Sequence, residues 1–208
     1  MHLRAEALVL AIRQHGEHGA IVRALTADHG LQPGYVRGGR SRHIRPILQP
    51  ANLVLGEWRS RTEDQLAGLT VELVHSRAPL FAEPLPAAAL EWVTALTATA
   101  LPEAQPYPRL HAALDGVIGA IEAAPAARGW AVALARYELL LLAELGYGLE
   151  PDRLPDILRT GGEAGWADIL AALRLTGQAL ESDILTDRRA ETLAARGRLI
   201  DRLKRAVA

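Results

Sequence analysis

Cysteine is absent from this 208-residue chain, and lysine, methionine and phenylalanine occur once each. The lack of cysteine and the near lack of lysine exclude chemistry. Without cysteine there are no disulfides, thiol nucleophiles, iron-sulfur ligands or cysteine zinc cages, so any metal site would rest on histidine and carboxylates. The single lysine, Lys204, stands near the end of the chain. A phosphate-cradling Walker loop needs glycines followed by lysine, which removes that class. The four serines, Ser41, Ser60, Ser76 and Ser182, lack a G-x-S-x-G elbow, so serine hydrolysis is not expected. Long apolar runs are missing too. The stretch before Arg13 in "MHLRAEALVLAIRQ" is shorter than the roughly 7 residues of a signal-peptide core. "ELLLLAELGYG" is interrupted by Glu144, far short of the roughly 18 apolar residues of a spanning helix. A soluble, cytoplasmic protein with no membrane partner is expected.

Enough apolar material is present for a real core, since half of the residues are hydrophobic. Texture changes near residue 80. Before it, "AEALVLAIR", "AIVRALT", "LQPGYVRGG", "ANLVLGEWR" and "LAGLTVELVHS" read as five short strands punctuated by glycine. Thr70 to His75 alternates as a strand with one wet face does, whereas Ala7 to Ile12 is apolar on both faces. Five short strands suit a small closed barrel, because closure removes unpaired edges, and an OB-type barrel is the leading candidate. After it, Ala87–Leu101 and Pro108–Ala123 carry apolar stripes at helical spacing, with Pro102, Pro106, Pro108 and Pro125 between segments. "RGWAVALARYELLLLAELGYG" is apolar on most of its circumference and ends at glycine, as a central buried helix does. Residues 166–208 hold two or three further helices, the last one basic. The expected class is α+β in two domains: a nucleic-acid-binding barrel over residues 1–80 and an all-helical domain over residues 81–208.

The net charge of −1 argues against a protein coated in positive charge, so any polyanion contact must be local. One segment fits. "GYVRGGRSRHIRPILQP" places Arg37, Arg40, Arg42, His43 and Arg45 within nine residues, and no acidic residue occurs between Asp28 and Glu57. Such side chains repel one another alone and gain when phosphates arrive. Gly38 and Gly39 lack a Cβ and would let the backbone approach a sugar-phosphate chain with its N–H groups available. Ten arginines against seven acids leave +3 on residues 1–80 and −4 on the rest. Aromatics are few: Tyr35 and Trp58 are alone in the first 80 residues, and each has core packing as its competing role. Contact is therefore expected to be mainly electrostatic. Elsewhere, His15, Glu17 and His18 resemble a metal cluster, but the flanking glycines indicate a turn and no metal is expected. Glu63 and Asp64 fall in a polar turn with nothing to desolvate them, which argues against acid catalysis.

"ALVLAIRQHGEHGAIVRALTADHGLQPGYVRGGRSRHIRPILQP", with its T-x-x-H-G and G-x-R elements leading to "LQP", and later "ARYELLLLAELGYGLE", resemble the bacterial recombination and repair family RecO. The resemblance implies an N-terminal OB-fold and a helical C-terminal domain. It also implies binding of single- and double-stranded DNA, annealing of complementary strands, and work with a RecR partner to help RecA replace single-strand-binding protein. It brings no catalytic residues, and without cysteine in this chain no zinc or other cofactor is expected. The family's cationic loop corresponds to Arg37, Arg40, Arg42 and Arg45, already chosen on charge. Many relatives carry a cysteine zinc site after the central helix, where this chain runs through "GLEPDRLPDILRTGGEAG" without cysteine. Some show consecutive basic residues before the aromatic-Glu-Leu motif, a surface linked to the acidic tail of single-strand-binding protein. Here Ala135 takes the first position and Arg136 the second. The expected function is a non-catalytic DNA-binding recombination mediator, with Tyr35 and the loop from Arg37 to Arg45 on DNA and Arg136 at a partner-docking surface. The competing reading is a protein-interaction adaptor whose basic loop meets an acidic protein.

Overall fold

The computed structural model describes residues 2–62, 65–123, 126–150, 152, 154–159, 165–186 and 190–207; Glu63, Asp64 and Pro125, considered above, lie outside them. Five strands come first: β1 (His2–His15), β2 (Gly19–Thr26), β3 (Gly30–Val36), β4 (Leu53–Arg59) and β5 (Gly68–His75). Helices follow: α1 (Pro84–Ala100), α2 (Pro108–Ala123), α3 (Ala127–Glu144), α4 (Asp156–Arg159), α5 (Trp166–Ala179) and α6 (Ala190–Val207). Two compact units result, Met1–Glu83 with Thr94–His111, and Pro84–Val93 with Ala112–Ala208, so the divisions fall inside α1 and α2.

In the first unit the strands pair in the order β1-β2-β3-β5-β4 and close through β4 against β1. β1 is longer than the sequence pattern indicates because it serves two neighbours. Residues His2 to Leu8 pair with β4, and Leu8 to His15 pair with β2. A bulge between Val9 and Ala11 interrupts the half paired with β2 and increases the local twist. Ala7 and Val9 point inward with Val22, Ala24, Val36, Val54, Trp58, Leu69 and Val71. Leu8, Leu10, Leu25 and Leu31 are equally buried. Leu8, Leu25 and Leu31 lie abreast on the outer side, which the segment Thr94–His111 joins: the Ala104 N–H donates to the Leu31 carbonyl at 2.9 Å. That explains a strand apolar on both faces.

Trp58 fills the barrel. Its ring occupies space that a Cβ on Gly56 would take, and its indole Nε1 lies against Gly34. Truncating a ring so enclosed typically costs about 3–5 kcal/mol. β5 departs from the expected alternation at its end: Leu73 and Val74 are 43% and 48% exposed, beside a register shift at Leu53/Val54. The β2–β3 turn shows why T-x-x-H-G reads as it does. Thr26 Oγ1 accepts from the His29 N–H and donates to the Gly30 carbonyl, while Gly30 has φ +69° and sits against the Gln105 backbone.

In the second unit α3 is central, as its apolar circumference indicates. It ends in a Schellman motif: Gly146 adopts φ +89°, its N–H donates to Ala143, and the Tyr147 N–H donates to Leu142. Glu138 on α3 is wholly buried. It accepts from Trp92 Nε1 of α1 at 2.7 Å, from Thr176 Oγ1 of α5 and from Arg196 of α6 at 3.2 Å. The Arg196 guanidinium also lies 5.5 Å from the Trp92 ring centroid. On α6, Thr192, Ala195, Arg196, Leu199 and Leu203 form the buried stripe, which leaves its other basic residues on the opposite face. No helix among the described residues is long and apolar enough to cross a membrane.

Candidate nucleic-acid interface

The basic segment between β3 and β4 is a sequence of turns held down by apolar anchors. Leu48 belongs to the barrel core, and Ile44 and Ile47 pack against it. Local bonds set the path: the Ser41 N–H donates to Gly38, the Arg45 N–H to Ser41, and the Ile44 N–H to Ser41 Oγ. Asn52, fully buried, latches the far end. Its amide nitrogen donates to the Pro46 and Ile47 carbonyls at 3.0 and 3.1 Å, and its Oδ1 accepts from the Arg77 N–H at 2.8 Å. Next to it Ala51 takes φ +66°, and its carbonyl receives the Arg77 guanidinium at 2.8 Å.

With inward positions taken by isoleucine and leucine, the polar ones face water. Arg37, Arg40, Arg42, His43 and Arg45 are all exposed. None of the four arginines pairs with a carboxylate among the described residues. Arg40 is oriented by the neighbouring β1–β2 turn, its guanidinium donating to the Glu17 carbonyl at 3.0 Å and its N–H to His18. Gly38 has φ +68° with open space where a Cβ would stand, a conformation that favours glycine. Gly39 differs from expectation. It is buried, its absent Cβ makes room for Ala20 and Leu48, and its N–H donates to the Val36 carbonyl. Its N–H is thus spent inside the fold, and its role is packing the loop onto the barrel.

Strand register extends this surface beyond the loop. Arg13, Ile21 and Tyr35 lie abreast on β1, β2 and β3, with His15 and Gly19 abreast one step further along. Arg13 and His15 are exposed and Tyr35 is half-buried on this outer face, whereas Trp58 is in the core. Arg13 has no carboxylate partner among the described residues. Arg23, two positions from Ile21, is instead used internally, bonding the Ala98 carbonyl and pairing with Glu103 at 3.3 Å. Charge clustering along the chain does not single out Arg13. Alternation running Ala11, Arg13, His15 marks it, but only once Leu10 is known to be the bulged residue. The outer face of β1, β4 and β5 is of mixed sign, with Arg4, Glu57, Arg59 and Glu72 around one recess. There His2, at 2.7 Å, and Arg59 hold the Glu57 carboxyl below its usual range.

His18 lies 3.9 Å from Glu17, both highly exposed, and His15 turns to Tyr35. Among the described residues no three metal-ligating side chains gather. In the helical unit Arg136 is exposed and donates to the Ile157 carbonyl of α4 at 3.0 Å, so part of its donor capacity is taken within the fold.

Residues 1–77 match the family model Recombination protein O N terminal, and residues 85–153 match Recombination protein O C terminal. The DNA repair protein RecO of Phenylobacterium zucineum (strain HLK1) is 35% identical over an alignment that covers 99% of each chain. That of Jannaschia sp. (strain CCS1) is 37% identical over 100% of this chain and 98% of its own. That of Gluconacetobacter diazotrophicus is 42% identical over 79% of this chain and 65% of its own. The first two alignments run to 243 positions against 208 residues here, so those relatives contain stretches that this chain lacks. Two domain models in the right order and identity at this level along the whole length establish that the chain belongs to the Recombination protein O (RecO) family.

Proposed function

We propose that this protein is a non-catalytic DNA-binding recombination mediator acting in DNA repair. Its relatives are named DNA repair protein RecO, and recombination repair is the role their family description indicates. The observation that carries the reading is the set of four exposed arginines, free of carboxylate partners among the described residues, on a loop clamped by Ile44, Ile47, Leu48 and Asn52. A rigid cationic surface of this kind neutralises phosphates and releases their counterions with little base preference. The barrel, taken as OB-type over residues 1–80, grips single and double strands. By holding two strands at once it lowers their mutual repulsion, and annealing follows from local concentration. Residues 81–208 dock proteins, a RecR-like partner and single-strand-binding protein, and so assist loading of the recombinase. Arg136 lies on that docking surface, its remaining N–H groups suited to a carboxylate beside an apolar groove. Action is in the cytoplasm at the nucleoid.

Strand annealing by the chain carrying Arg37→Glu, Arg40→Glu and Arg42→Glu tests this. The expected result is loss of annealing with unchanged circular dichroism, since all three side chains are exposed. A folded triple variant that anneals normally overturns the assignment. If the wild-type chain binds no oligonucleotide even at low salt, the adaptor reading, with an acidic protein on the loop, takes its place.

A further inference from the structure

We propose that His15 and Tyr35 form a stacking platform through which the basic face prefers unpaired strands to duplex; this rests on the nucleic-acid reading of that face and deepens it. The sequence places a glycine, Gly19, between them. Gly19 pairs across from His15 on β1, and Tyr35 is two registers from it on β3. A Cβ at Gly19 would run into the phenol end of the Tyr35 ring, so its absence lets that ring lie down over β2. His15 meets Tyr35 edge to face, ring centroids 5.9 Å apart and planes at 82°. Such a contact helps to fix the tyrosine, and the residue keeps part of its surface in water.

What surrounds this pair matters as much. Arg13 stands abreast of Tyr35 across Ile21, and Arg37 follows two residues later along the chain. The aromatic surface is therefore set among cations able to take the phosphates on either side of a stacked base. In a duplex both faces of each base are already occupied by their neighbours, and a ring on a barrel wall reaches none of them. In a single strand a base is free to turn onto the ring, a gain that does not depend on sequence. Electrostatics draws both forms to this surface; the platform adds affinity for one alone.

The test measures binding of an oligothymidylate of about 15 nucleotides, near the upper site size of one small barrel, and of a mixed-sequence duplex of equal length. Tyr35→Leu is expected to weaken single-strand binding about fivefold or more while changing duplex binding less than about twofold. Tyr35→Phe should behave as wild type on both. Gly19→Ala, which alters neither ring, should reproduce the single-strand loss by pushing Tyr35 aside. Irradiating the wild-type chain with an iodouracil-substituted oligothymidylate should cross-link Tyr35 or His15, a readout independent of any variant's folding. Equal losses on both substrates, an unchanged single-strand affinity, or cross-links confined to other residues overturn the inference and leave the electrostatic reading intact. A wild-type chain that binds neither substrate overturns the nucleic-acid reading, and the platform with it.

Discussion

Glu138 sits out of water with donors from α1, α5 and α6 converging on its two oxygens, and the Arg196 cation it balances is nearly as buried. Removing the carboxylate leaves that guanidinium uncompensated in a low-dielectric interior. Glu138→Ala is therefore expected to destabilise the chain by about 3–5 kcal/mol, read as a lowered midpoint in urea unfolding. Glu57 is the opposite case. It lies on the surface, and the His2 hydrogen bond, then Arg59, stabilise its ionised form. Its folded-state pKa is depressed, so the small stabilisation it brings is present above the unfolded-state value and fades as pH falls through the folded one. By NMR titration Glu57 should ionise at lower pH than exposed glutamates, and His2→Ala should move it back toward them. None of these partnerships shows in a one-dimensional pattern, because Glu138 meets Trp92, Thr176 and Arg196 only after the helices have packed.

At the scale of elements, the cationic loop is the informative case. Its charge is plain from Arg37 to Arg45, but what makes it a surface is Asn52, whose side-chain amide supplies the carbonyls of Pro46 and Ile47 and receives the Arg77 N–H. Asn52→Ala strands those buried groups and should cost about 1–3 kcal/mol. Because the loop's arginines remain, DNA affinity should fall while its salt dependence is kept, a separation that a titration at several ionic strengths resolves. Gly30→Ala tests the neighbouring turn. Its φ of +69° and its approach to the Gln105 backbone leave no room for a methyl group, and about 2 kcal/mol or more of stability should be lost in thermal unfolding. Local chemistry of this sort was legible beforehand: T-x-x-H-G marks the turn, and the glycine after "LLLLAEL" marks the Schellman end of α3. The length of β1 was not, since a strand shared between two partners and interrupted by a bulge leaves no simple period.

For the molecule as a whole, charge distribution separates the two readings of the basic face. If four to five arginines replace counterions on a single strand, log K should fall against log salt with a slope of about −3. The variant with Arg37, Arg40 and Arg42 reversed should lose most of that slope along with the affinity. A slope near zero for the wild-type chain would mean that phosphates are not what the loop meets.

Composition and pattern by themselves determined the lack of cysteine and of a Walker loop sequence, the change from strands to helices near residue 80, and the cationic loop with no acid between Asp28 and Glu57, because these depend on residue identity and short-range spacing. Tertiary structure alone decided which side chains share a face. Arg13, His15 and Tyr35 come together through strand register, Arg23 is withdrawn by Glu103, Trp58 is taken into the core, and Gly39 is buried while Arg37 and Arg40 stay in water. The reason is that a bulge or a closing strand turns a side chain from one face to the other, and both are settled by pairing between residues far apart in the chain.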